Sequence, residues 1–314
     1  MTNKWNIISV FLIILLYSSC NTYTTYYSKT YTSTPNRNKS KVHRLDFSNK
    51  NVESLAEYIV KNKNLKMLNL SNTKISNLDN IFIQLGKHTQ IEILIIDSLD
   101  ISRLPKSIKT LSHLKQLSLS YNPKLNLEDT FSKISDLPIE FLNLKGNNIA
   151  KLPDNTTSLH HIKDLNLSYN ILSEKHNYTL LGELPNLYSL WIDHNNLDQL
   201  PETIGALDQV RFLYIDHNNL NVLPNSISAM KKTWVIHAGY NQFTELPSAF
   251  TKMKSLFMVH INNNNIKSIS EAYEKEKYPL AGLILDNNPL LNSEKEKAKK
   301  LFKGFFLLSF EQNQ

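Results

Sequence analysis

Two stretches decide the fold: LYSLWIDHN, residues 187–195, and VRFLYIDHN, residues 210–218. In each, apolar side chains take the first, fourth and sixth places, other residues alternate with them, and an asparagine closes the segment. Alternation of this kind over a few residues is the mark of a half-buried strand. Working outward, the template LxxLxLxxNxL recurs every 23 to 26 residues, opening at Val42, Leu65, Ile91, Leu114, Ile139, Ile162, Leu187, Val210, Thr233, Leu256 and Leu280 and closing at Leu290. A unit this short cannot bury its apolar side alone. The units must therefore stack and share one continuous core, as a solenoid does.

Positions 1, 4, 6 and 11 of the template are the inward ones, and each such aliphatic side chain contributes roughly 1.5–3 kcal/mol on burial. Position 9 is asparagine from the fourth repeat onward: Asn122, Asn147, Asn170, Asn195, Asn218, Asn241, Asn264 and Asn288. A carboxamide both donates and accepts, so a column of them can satisfy the turn backbone of one repeat and tie it to the next. The first three repeats carry Lys50, Thr73 and Leu99 there, which predicts less regular turns. Several second halves read LPxxIxxLxxL, as in LPKSIKTLSHL (104–114), LPETIGALDQV (200–210) and LPNSISAMKKT (223–233). Proline fixes the turn after the strand and suits the start of a short helix.

These quoted segments resemble the leucine-rich repeat family, in its 23-residue LPxxIxxLxxL form. The resemblance implies an α/β solenoid shaped as a curved horseshoe. A parallel β-sheet would line its concave face, with short helices, 3-10 turns and loops on the convex face. The longer spacings, Leu65 to Ile91, Leu114 to Ile139, Ile162 to Leu187 and Leu256 to Leu280, place small insertions on the convex side. For activity the resemblance says little, because a fold is not a function.

The two ends read differently. Residues 1–19 carry Lys4, an apolar run from Ile7 to Leu16 and then small residues, the shape of a signal peptide. That run is too short to remain as a spanning anchor. Cys20, the only cysteine, follows Tyr17, Ser18 and Ser19, which resembles a bacterial lipobox with Tyr17 where leucine is preferred. The resemblance implies that Cys20 is lipidated, becomes the new amino terminus and anchors an exported protein to the cell envelope, at the outer membrane or cell surface. An ordinary signal peptide cut near Ser19 is the alternative. Residues 20–41, rich in Thr, Ser, Tyr and Lys and without aliphatic side chains, form a flexible tether. The repeat domain covers 42–290, and residues 291–314 form a cap. Within the cap, the segment from Ser293 starts acidic and turns lysine-rich, as a helix on the last repeat should. It would turn Leu301, Phe302, Phe305 and Phe306 inward.

Function is carried by the outward positions of the strands. Position 5 runs Asp46, Asn69, Ile95, Ser118, Asn143 and Asn166, then switches to Trp191, Tyr214, His237 and His260. Strands about 4.8 Å apart would make these four a ladder. Phe212 and Met258 at position 3 join it, with Tyr188 and Trp234 alongside at position 2 and Asp193 and Asp216 as an acidic margin at position 7. An aromatic centre with a polar rim describes a protein interface. The expectation is a monomeric, non-enzymatic module that binds a protein ligand and uses no cofactor. A glycan stacking on Trp191 and Tyr214 is the alternative. The pairs His237/His260 and His194/His217 occupy adjacent rows and could approach metal-ligand separation, which makes a metal-dependent enzyme the third reading, although spacing supplies no third ligand. No glycine-rich phosphate loop, HExxH or GxSxG is present. The formal charge of +7 gathers toward the two ends, which fits solvated faces or anionic lipid better than nucleic acid.

Overall fold

A computed structural model describes residues 42–51 and 55–311, with Thr30 and Thr32. Cys20, the signal peptide and nearly all of the tether lie outside the described residues. Each repeat contributes a three-residue strand: β1 (Arg44–Asp46), β2 (Met67–Asn69), β3 (Ile93–Ile95), β4 (Gln116–Ser118), β5 (Phe141–Asn143), β6 (Asp164–Asn166), β7 (Ser189–Trp191), β8 (Phe212–Tyr214) and β9 (Val235–His237). After β10 (Glu245–Leu246) come β11 (Met258–His260), β12 (Ser268–Ile269), β13 (Gly282–Ile284) and β14 (Leu307–Ser309). All but β10 and β12 form one twelve-stranded sheet in chain order, and β10 pairs with β12 on the other side of the repeats. The ladder is parallel and keeps template register, so that Trp191 faces Tyr214 and His237 faces His260.

The core runs between the sheet and the outer segments. In the seventh repeat Leu187, Leu190, Ile192 and Leu197 are all buried; positions 1, 4 and 6 are buried along the whole stack, and position 11 is buried from Ile149 onward. Above the core runs the asparagine column. Asn170 donates through Nδ2 to the carbonyls of Leu144, Leu167 and Ser168, while its Oδ1 accepts from the N–H groups of Asn147 and Ile149. Each asparagine thus binds its own turn to the repeat before it.

This linkage explains why the first three turns are regular, contrary to the expectation from Lys50, Thr73 and Leu99. Asn49, Asn72 and Ser98 adopt the same left-handed backbone, with φ of 59°, 52° and 54°, as Tyr169 at 57° in a turn that has its asparagine. The amides of Leu99 and Ile101 are satisfied by Asn122 of the following repeat. In the second repeat Thr73 donates its hydroxyl to the carbonyl of Phe47, doing part of the carboxamide's work.

Outer segments follow repeat length. Repeats of 23 residues from the third onward carry 3-10 turns, Lys106–Thr110, Asp154–Ser158, Glu202–Ala206, Asn225–Ala229 and Ser248–Lys252. Each turn is preceded by an extended proline (Pro105, Pro153, Pro201, Pro224, Pro247), so proline caps the turn from just outside it. The first repeat has α1 (Leu55–Lys61). The longer repeats hold α2 (Leu78–His88), α3 (Leu127–Ile134), α4 (Lys175–Gly182) and α5 (Ala272–Lys275). An α-helix rises about 1.5 Å per residue against about 2.0 Å for a 3-10 turn, so spanning the same outer distance takes more residues. Asn77 and Asn126 cap α2 and α3, each accepting from a backbone amide three residues on.

At the far end α6 (Asn292–Leu301) covers the last repeat, held by Glu294 Oε2 on the Ile269 amide and by the Lys297–Glu274 ion pair at 2.8 Å. Phe302 is buried, and Leu301 and Phe305 are partly buried against the core. Phe306 does not turn inward: it is 48% exposed. The apolar run beyond α6 forms β14 instead of more helix, which puts Phe306 at position 2 on the open side of the sheet. Its ring lies over Gly282, where a Cβ would come within 2.8 Å of it.

Candidate recognition face

Three rows of rings line the C-terminal half of the sheet. Along position 5, Trp191, Tyr214, His237 and His260 stack face to face, with centroid separations of 4.9, 4.5 and 4.2 Å and interplanar angles of 9°, 16° and 25°. Strand spacing sets these separations. At the β6 end Phe141 reaches from β5 to meet Trp191 in an edge contact, centroids 6.4 Å apart at 84°.

The second row stands at position 8, on the turns. Tyr169, His194, His217 and Tyr240 stack at 4.0, 4.2 and 4.1 Å, each from a backbone with φ between 50° and 57°. A left-handed backbone is unusual for a ring-bearing residue, and the repeat imposes it at every copy. Lys145 Nζ lies 4.3 Å from the centroid of the Tyr169 ring. The sequence reading takes His194 and His217 only as a pair; the signal for the row is an aromatic residue directly before the repeat asparagine.

A third row, at positions 2 and 3, is tilted. Tyr188 contacts Phe212 at 5.3 Å, Trp234 contacts Phe257 at 5.7 Å, and Phe257 stacks on Phe306 at 5.2 Å. Here two expected contact residues need correction, for Phe212 and Met258 are each only 8% exposed. Alternation sends position 3 outward, yet the large side chains at positions 2 and 5 close over it, so these two form the floor. Tyr188 is exposed, and Trp191, Tyr214, His237, His260 and Trp234 are half-buried, presenting ring edges.

Burial decides the electrostatics. His237 is held down to about 3, mainly by desolvation and then by His260, so its ring is neutral; burial also lowers His260. Asp216 is pushed up to about 7 by burial, with the Asp193 charge adding and the Gly239 N–H opposing. Asp164, on β6, is raised to about 6 by burial, against the pull of Lys163. Asp193 binds His194 Nδ1 at 2.9 Å and accepts the Ser168 hydroxyl.

The histidine pairs do not converge on a common point. Stacked imidazoles hold their ring nitrogens in near-parallel planes, 25° apart for His237/His260 and 16° apart for His194/His217. Among the described residues no three His, Cys, Asp or Glu side chains are placed to hold a metal ion. Nor, among them, is any helix long and apolar enough to cross a membrane. Two clefts lie away from the rings, along LP segments such as those at Leu152 and Leu223.

Strand, asparagine turn and outer segment, repeated in register around one core, define a leucine-rich repeat solenoid. A family model described as a leucine-rich repeat region matches residues 142–276, inside the run of repeats. Among solved structures, an internalin of Listeria monocytogenes is similar at 18% identity, covering 87% of this chain and 76% of that one, with a TM-score of 0.62. The structure of the Drosophila Toll–Spatzle complex contains a chain similar at 20% identity over 80% of this chain and 38% of its own, TM-score 0.59. A leucine-rich repeat protein of Leptospira interrogans aligns at 21% identity over 85% and 90%, TM-score 0.44. Among curated proteins none matches the chain. The likeness to the internalin and to the Toll complex chain is one of fold, a fold whose extended concave surface serves in general as a binding module.

Proposed function

We propose that this chain acts by recognition alone, as an exported lipoprotein anchored through Cys20 that binds a protein ligand on the concave face of its C-terminal repeats. The observation that carries the binding reading is the change of surface between β6 and β7. Scaffold positions continue unaltered there, while position 5 passes from Asn143 and Asn166 to the stacked series beginning at Trp191. A scaffold requirement would have acted on every repeat alike. Edges of Trp191, Tyr214, His237 and Trp234 supply amphipathic contact area, and Tyr188 and Asp193 stand at its border. Phe212 and Met258 support these rings from below.

A sugar would need the flat side of a ring. Trp191 and Tyr214 close their facing sides against one another, and Tyr214 and His237 do the same. This favours a protein ligand over a glycan. The test is photo-crosslinking from position 188 on intact cells, followed by capture of the crosslinked protein with purified wild type and with Trp191→Ala/Tyr214→Ala. The double variant should lose most capture while its melting curve stays close to wild type. Undiminished capture would refute the concave site, and displacement by soluble oligosaccharide would favour the glycan.

A further inference from the structure

Asp164 differs from the other aspartates that the strands and their turns set on this side of the sheet. Asp46 accepts from the Ser48 amide, Asp97 from Ser118 and Ser120, Asp193 from the Ser168 hydroxyl, Asp216 from the Gly239 amide, and Asp286 from Ser309 and Glu311. Each of those carboxylates is part of the turn scaffold. The Asp164 carboxylate accepts from no donor among the described residues, although it is largely withdrawn from water. Lys163, its neighbour in sequence, is engaged with Glu140 at 3.1 Å.

Register places Asp164 beside the end of the aromatic row. It pairs with Phe141 of β5 on one side and Ser189 of β7 on the other, so the edge contact between Phe141 and Trp191 passes over its strand. Tyr214 stacks on one face of Trp191 and Phe141 meets the ring from the β6 side, so the rim of the indole stands beside the strand that carries Asp164. Half-burying a carboxylate without a partner costs free energy, and a ligand that supplied both a cation and fitted donors would recover it.

We propose that Asp164 is the anchor for an arginine side chain of the protein ligand. A guanidinium is flat and carries paired donors that match a carboxylate; an ammonium is compact, more strongly hydrated and lacks the paired geometry. The inference rests on the concave face being the binding surface, and it names the chemistry of the partner there.

A capped, fluorescein-labelled tetra-arginine peptide is the probe, with binding to the full mature protein read by anisotropy. Asp164→Asn preserves shape and should weaken binding on the order of tenfold, the size expected for loss of a charge-assisted hydrogen-bonded pair. Asp286→Asn removes the same charge from a scaffold carboxylate in a distant turn and should stay near wild type. Tetra-lysine should bind wild type more weakly than tetra-arginine does. No binding to wild type, equal losses in the two Asn variants, or equal affinity for the two peptides overturns the anchor. If Asp164→Asn binds normally while Trp191→Ala/Tyr214→Ala does not, the anchor falls and the aromatic face stands. Loss in Asp164→Asn with normal binding by the double variant leaves the anchor standing and removes the ring row from the contact.

Discussion

Asn170 shows how much one side chain holds in this architecture. Buried to 3% exposure, it serves three carbonyls and two amides spread over two repeats. Asn170→Ala leaves those groups without partners in a dry turn. Unfolding in urea should show a loss on the order of 3 kcal/mol, since each unsatisfied buried group costs roughly 1–3 kcal/mol and some reach water. Asn170→Thr should lose less, because Thr73 already fills the same position in the second repeat. Asp216 sets a pH dependence of the opposite kind. Its carboxyl rises from 3.8 to about 7 on folding, so between those values the folded chain holds a proton that the unfolded chain has released. Its burden on stability is therefore absent at acid pH and grows as pH rises through that window. Asp216→Asn keeps an oxygen for the Gly239 amide and carries no charge. It should melt higher than wild type near pH 8, by on the order of 2 kcal/mol, and the gain should vanish near pH 4. A gain that is the same at both pH values would rule out the charge as its source.

At the level of elements, the strands, their order and the outer insertions were legible because the solenoid converts sequence period directly into spatial neighbourhood. The four extended spacings became helices, and the 23-residue repeats from the third onward became 3-10 turns. What escaped the sequence depended on side-chain size or on the ends of the repeat. Alternation shows that Phe212 points out of the core, but only the bulk of Tyr188 and Trp234 around it shows that it is covered. The position-8 row was hidden because a turn residue has no strand periodicity to mark it. The segment from Phe305 to Phe310 reads in sequence as more of the cap, since it lacks the template asparagine; the open edge of β13 nevertheless recruits it as a final strand. Asp164 was invisible for a different reason. A lone acidic residue at position 3 looks like any solvated one until its neighbours are known.

Considered as a whole, the molecule divides its charge. A chain of formal charge +7 presents Asp164, Asp193 and Asp216 within its aromatic field, while lysines crowd α6. The proposed anchor would fix this field to the envelope at one end. Cys20→Ala should abolish incorporation of labelled fatty acid and release the protein from membranes, and persistence of both would contradict it. The strand order has a mechanical corollary. Every strand in the large sheet bonds only to the one before and the one after. A pull between the two extremities therefore meets no shear-resistant clamp spanning distant segments, and it loads a single ladder at a time. Under tension such a body should lengthen by successive peeling of units, and on slackening it should rewind from whatever portion stayed wound.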